Sequence, residues 1–125
     1  MKNNKARVLI VEDEKVIALD IQTLLEKLGY EVISIIDNGE DAIEKAGEEK
    51  PDLIIMDIIL KDYMDGIEAA HIIYEKFKIP ILYLTALTDD ETFLSSRELY
   101  PFNFLNKPFE EKDLSDAIKS TLGRN

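Results

Sequence analysis

Short aliphatic runs alternate along this chain with longer stretches in which apolar residues recur every three or four positions. The runs are Val8–Val11, Val32–Ile36, Leu53–Met56, Ile81–Leu84 and Phe102–Leu105, the last broken by Asn103. Four or five residues are too few for a helix. Without strict alternation, such runs read as strands buried on both faces. Between them the period lengthens. Ile17, Ile21, Leu24 and Leu28 mark one helical face, with Gly29 placed to end that helix. Ala42, Ile43 and Ala46 mark a second, which stops before Pro51. Ile67, Ala70, Tyr74 and Phe77 mark a third, with Pro80 beyond. A fourth, near Asp89–Glu98, offers only Phe93, Leu94 and Leu99. Leu114, Ala117, Ile118 and Leu122 mark a fifth, followed by Gly123. Five strands alternating with five helices predict a doubly wound α/β domain with a parallel sheet. It reads as one domain over 1–125, its core over about 6–122, with no output domain in this chain.

Composition narrows the function. The chain has 125 residues, 26 acidic against 15 basic, for a formal net charge of −11. Phosphate contacts come from Lys and Arg, so direct DNA binding is not expected. Anionic membrane surfaces should repel the chain, and no apolar run is long enough to span one. It has no cysteine, hence no disulfide framework or thiolate chemistry. The start, "MKNNKARVLIVEDE", lacks the apolar region of a signal peptide, which predicts a cytoplasmic location.

In a parallel sheet every strand ends at one edge, and open α/β sheets bind ligands there. The residues at that edge form a chemical set. The first run ends in Glu12 and Asp13, within "VLIVEDE". The third ends in Asp57, within "DLIIMD". The fourth ends in Thr85, within "LTA". Just past the fifth comes Lys107, within "NKPF". Three carboxylates close together repel unless a cation intervenes. Mg²⁺ (or Mn²⁺) suits oxygen ligands and also binds phosphate oxygens. A carboxylate such as Asp57 can act as a nucleophile and form an aspartyl-phosphate. The Thr85 hydroxyl could donate a hydrogen bond to the new phosphoryl group, and the Lys107 ammonium could neutralise it.

With "DGIEAA" between them, these five motifs fall in one order, and the chain resembles a response-regulator receiver domain of two-component signalling over essentially its whole length. The resemblance implies a flavodoxin-like sheet with strand order 2-1-3-4-5. It implies Asp57 as phosphoacceptor, Asp13 as direct metal ligand, and Glu12 acting on the metal through water. The Ile59 backbone carbonyl would be a further ligand, and Thr85 and Lys107 would contact the phosphoryl group. Phe104 would be the aromatic that switches with Thr85, against the plain reading of a core or edge aromatic. Lys107–Pro108 would be cis. The implied partners are a sensor histidine kinase or phosphotransfer protein and a downstream output protein. The implied activity is a phosphorylation switch rather than an enzyme. Rival readings are a scaffolding receiver that is never phosphorylated and an Asp-nucleophile phosphatase. The latter needs a general acid two residues after the nucleophile, where Ile59 stands.

Several residues have plainer readings. Asp13 could simply cap the first helix. His71, the only histidine, reads as a solvated residue of the third helix. The chain also departs from the family pattern. After Asp57 it reads "IILKDYMDG", one residue longer than usual, with Lys61 where a proline is common. Tyr100–Pro101 stands where the family carries a small Gly-Ala pair. Ile59 and Leu87, each two residues past a site residue, are apolar and are expected to hinder the water that removes a phosphoryl group.

Overall fold

The computed structural model describes residues 5–60, 64–86 and 103–123. The order is β1 (Arg7–Val11), α1 (Lys15–Lys27), β2 (Glu31–Ile36), α2 (Gly39–Glu49), β3 (Leu53–Asp57), α3 (Gly66–Phe77), β4 (Ile81–Ala86), β5 (Asn103–Lys107) and α4 (Glu111–Gly123). The helix expected near Asp89–Glu98 lies outside the described residues. So do Lys61, Tyr63, Leu87, Tyr100 and Pro101. All five strands pair in parallel, in the order β2-β1-β3-β4-β5.

Alternation along the three central strands divides the core between two faces. Leu9, Val11, Ile54, Met56, Ile81 and Tyr83 face one side, against α2 and α3. Val8, Ile10, Leu53, Ile55, Leu82 and Leu84 face the other, against α1 and α4. Every one of these twelve side chains is fully buried. That explains why β1, β3 and β4 read as unbroken aliphatic runs: neither face meets water. The outer strands differ. β2 is half-buried along most of its length. β5 alternates between half-buried and exposed positions. Among the described residues Asn106 lies on the exposed face of β5, and Asn103, on the half-buried face, donates to Thr121 Oγ1 of α4 at 2.9 Å. The strand accordingly runs on to Lys107, two residues beyond the aliphatic run Phe102–Leu105, and Lys107 is its last residue rather than the first of a loop.

The helices present the predicted faces. Ile21 of α1, Ala42 and Ala46 of α2, Ile67 and Ala70 of α3, and Leu114 and Ile118 of α4 are buried. Gly29 ends α1 at φ +96°. Its N–H reaches the Glu26 carbonyl, and the Tyr30 N–H reaches that of Leu25, at 3.1 and 2.9 Å. This double closure satisfies carbonyls the helix would otherwise leave open, and glycine adopts it without a Cβ penalty. α2 and α3 end differently: Lys50 and Lys78 take the left-handed conformation at φ 48° and 59°. Each donates its N–H four residues back, to Ala46 and Tyr74. Nothing in the two lysines announced this, because the stop signal read from the sequence was the proline beyond.

Candidate functional site

The parallel sheet brings the strand ends together. β1 and β3 are direct neighbours, with Val11 beside Met56, so Glu12 and Asp13 emerge next to Asp57. β4 lies on the other side of β3, with Leu84 opposite Asp57. Thr85 and Ala86 pair with Asn106 and Lys107 of β5. The site thus straddles the β1–β3 boundary, where the strand order reverses and connections leave in opposite directions.

Glu12 is almost fully buried, Asp57 is 7% exposed and Thr85 is 1% exposed. One carboxylate oxygen from each of Glu12, Asp13 and Asp57 lies within 4.8 Å of the others. At about that separation two unit charges repel by roughly 3 kcal/mol at an effective dielectric near 20. The Lys107 Nζ offsets part of this, lying 3.4 Å from Glu12 Oε1 and 3.6 Å from Asp57 Oδ2. The second oxygen of Glu12 accepts from the Glu14 N–H at 3.1 Å. Asp57 Oδ1 accepts from the Ile59 N–H at 3.2 Å.

These partners do not fully compensate Asp57. Burial pushes its carboxyl up to about 7, and the neighbouring Glu12 charge pushes the same way. The Lys107 ammonium pulls it back, the Glu12 hydrogen bond raises it, and the Ile59 N–H lowers it. The cluster is therefore short of positive charge, and a small divalent cation with oxygen preference fits it. Glu12, Asp13 and Asp57 each turn one oxygen to the cluster, and the oxygens of Glu12 and Asp57 also carry contacts with Lys107 and with the Glu14 and Ile59 N–H groups.

Asp13 does not cap α1. The N-cap is Glu14, which makes no side-chain cap bond. Phe104 is 44% exposed on β5 beside Tyr83, so it is not a core aromatic among the described residues. Ile59 is 58% exposed immediately beyond Asp57. His71 is exposed on α3, away from the strand ends. Lys107–Pro108 is cis.

One residue that shapes the site carried no chemistry in the sequence. Gly66 opens α3, and its N–H donates to the Ile58 carbonyl at 2.9 Å. A Cβ there would collide with the carbonyl oxygen of Asp57 and lie 3.1 Å from the Ile58 Cα. The glycine therefore lets the chain fold back against the backbone that carries Asp57. Its signal was the "DG" pair, in which Asp65 caps α3 by accepting from the Glu68 N–H at 2.9 Å.

A doubly wound α/β domain with an acidic cluster and a lysine at its strand-order reversal is the class that fold and site define. The chain belongs to the response regulator receiver domain family, which it matches over residues 8–119. It is 39% identical over 118 residues to the transcriptional regulatory protein PdtaR of Mycobacterium tuberculosis, covering 94% of this chain and 57% of that protein. It is 38% identical to the alkaline phosphatase synthesis transcriptional regulatory protein PhoP of Bacillus subtilis, covering 95% of this chain and 49% of that one. The chain spans about half the length of these curated relatives. Among solved structures it resembles the signal receiver domain of a modulated diguanylate cyclase from Desulfovibrio desulfuricans, with a TM-score of 0.88 and 35% identity over 97% of this chain and 96% of that one. It also resembles the receiver domain of the Pseudomonas aeruginosa sensor histidine kinase PA1611, solved with a magnesium ion in its active-site cleft, with a TM-score of 0.83 and 28% identity over 95% and 98% of the two chains. Among the described residues, no helix is long and apolar enough to cross a membrane.

Proposed function

We propose that this receiver domain is a phosphorylation switch in which Asp57 accepts a phosphoryl group from a phosphohistidine on a partner kinase or phosphotransfer protein. The observation that carries the reading is the packing of Glu12, Asp13 and Asp57 within 4.8 Å of one another with Lys107 against them. In the reaction an Asp57 oxygen attacks phosphorus. The phosphorus–nitrogen bond breaks, and its electron pair stays on the partner's imidazole. Asp13, Asp57 and the Ile59 carbonyl would hold Mg²⁺ (or Mn²⁺), which would supply charge neutralisation for the attacking carboxylate and the phosphoryl oxygens. Glu12, which also contacts Lys107 and the Glu14 N–H, would act on that ion through water. Lys107 shifts its ammonium from Asp57 Oδ2 to a phosphoryl oxygen. The Thr85 hydroxyl donates to another, and Phe104 changes packing as Thr85 moves. A downstream partner in the same cytoplasmic compartment senses the difference.

The phosphatase alternative lacks its acid, because an exposed aliphatic side chain occupies position 59. A scaffolding receiver would have no use for the buried acidic cluster, whose assembly is unfavourable without a cation. Intact mass after incubation with acetyl phosphate and Mg²⁺ tests the reading. The wild-type chain should gain one phosphoryl group, and Asp57→Asn or removal of Mg²⁺ should prevent it. Full labelling of Asp57→Asn would refute the assignment.

A further inference from the structure

Asn38 and Gly39, where β2 turns into α2, form the only asparagine–glycine pair in the chain. Such a pair carries its own reaction. The Gly39 backbone nitrogen can attack the Asn38 Cγ, because no Cβ at position 39 shields it. A carbon–nitrogen bond closes a succinimide ring, the attacking nitrogen loses its proton, and the side-chain nitrogen leaves as ammonia. Water then opens the ring at either carbonyl, giving aspartate or isoaspartate. The fold opposes ring closure in several ways. The Asn38 Nδ2 donates to Asp37 Oδ1 at 2.9 Å and to Asp41 Oδ2 at 3.0 Å, and its Oδ1 accepts from the Asp41 N–H at 2.8 Å. The peptide joining the pair is held as well, because its carbonyl accepts from the N–H of fully buried Ala42 at 3.1 Å. Gly39 is itself buried, and a Cβ on it would lie 3.0 Å from Met64 Cγ and Sδ and 3.2 Å from Ala69 Cβ. At ψ 161° the Gly39 nitrogen is rotated away from the Asn38 Cβ, whereas ring closure needs the two nearly eclipsed about the Cα–C bond.

We propose that Asn38 is a deamidation site in this chain and that the α2 cap governs its rate. To react, Asn38 must turn about its Cα–C bond. That turn breaks the bond from Ala42 and unseats Gly39 from Met64 and Ala69. The reactive form is therefore the opened cap, populated by local unfolding of the first turn of α2. The two products differ in consequence. Aspartate can still cap α2, but the bonds that the amide donated become contacts among three acids, at positions 37, 38 and 41. Isoaspartate routes the backbone through the side-chain carbon, which adds a methylene to the chain and leaves Gly39 out of register with Met64 and Ala69. The damage falls two residues from Ile36, whose carbonyl accepts from the Glu12 N–H at 2.9 Å.

The test follows conversion of amide to acid at each asparagine by peptide mass mapping. The full chain is aged in warm, mildly alkaline buffer, both folded and in guanidinium chloride. In denaturant Asn38 should convert first among the asparagines, with isoaspartate as the main product. In the folded chain its conversion should be about tenfold slower or more, since only the opened cap reacts. The double variant Asp37→Ala with Asp41→Ala frees the amide nitrogen and should raise the folded rate several-fold, with little change in denaturant. Asn38→Ser keeps a capping side chain and should abolish the early conversion while melting close to wild type. Another asparagine converting first in denaturant overturns Asn38 as the site, and so does early conversion that survives in Asn38→Ser. Equal rates in folded and unfolded wild type overturn control by the cap, as does a folded double variant that ages no faster than wild type.

Discussion

At the scale of single residues, Asp57 sets the energetics of the site. In the unfolded chain its carboxyl ionises near its ordinary value of 3.8, and in the fold burial raises it to about 7. Below about pH 4 both states are protonated and the group favours neither. Between about 4 and 7 the unfolded chain releases its proton while the fold retains it, so stability falls as pH rises through that window. Above 7 the full penalty is present. Asp57→Asn removes it, so the melting temperature of the variant should exceed that of metal-free wild type by a margin that grows from pH 4 to about 7 and then levels off. Parallel profiles would contradict this account. Mg²⁺ should raise the melting temperature of wild type at pH 8 and hardly at pH 4.5. Lys107→Ala leaves Glu12 and Asp57 without their cation and should destabilise the metal-free protein by about 3 kcal/mol at pH 8. Adding Asp57→Asn to that variant should recover a large share, a non-additivity visible in urea denaturation of the four proteins. Exposed Ile59, beside the acceptor, should slow the water that attacks an aspartyl-phosphate, so Ile59→Asn should shorten phosphoryl lifetime several-fold in a decay assay. The acids were legible because they close aliphatic runs, and Lys107 because it follows one by two residues. What the sequence could not convey was their depth: Glu12, almost fully buried, reads in the chain like any acid of "VEDE".

At the scale of elements, glycine and asparagine do work that hydrophobic periodicity hides. Gly66→Ala must displace the Asp57 carbonyl, and either the turn into α3 or the end of β3 gives way. A loss of about 3 kcal/mol or more in urea denaturation, with loss of labelling by acetyl phosphate, is the expected result. A folded variant of normal stability would show that the close approach is not needed. Asn38→Ala removes the cap of α2 and should cost about 1 kcal/mol. The helical faces and three central strands were legible because burial on defined sides dictates their patterns. The ends were less so. Lys50 and Lys78 adopt a left-handed geometry that their side chains do not advertise. β5 continues past its aliphatic run because an edge strand tolerates Asn106 on its open face. The "DG" pair was visible only as part of a motif. Its steric reason appears once the chain is seen folded back on Asp57.

At the scale of the whole molecule, the site is a product of topology. No two of β1, β3 and β5 are consecutive in the chain, yet their ends converge through the order β2-β1-β3-β4-β5. The motif order implied that convergence only with the fold, since five short motifs in sequence do not by themselves specify neighbours in space. A cleft of about 450 Å³ between α1, the end of β2 and the start of α2, lined by Asp13, Lys15, Leu19, Ile36 and Asp37 among others, was not legible at all, because it depends on how those elements flank one another. The contact between Lys107 and Glu12 joins residues 95 positions apart. Closing so long a loop costs entropy that must be overcome before the non-local contact repays it, which makes such closures slow. Under the proposed function, readiness to accept phosphate therefore reports completion of folding. During synthesis Asp57 leaves the ribosome well before Lys107, and until β5 docks it is an ordinary carboxylate. In a refolding experiment, acetyl phosphate should label the chain at the rate of global folding and not at the faster rate of helix formation. A receiver built this way cannot carry a signal before it is a finished molecule.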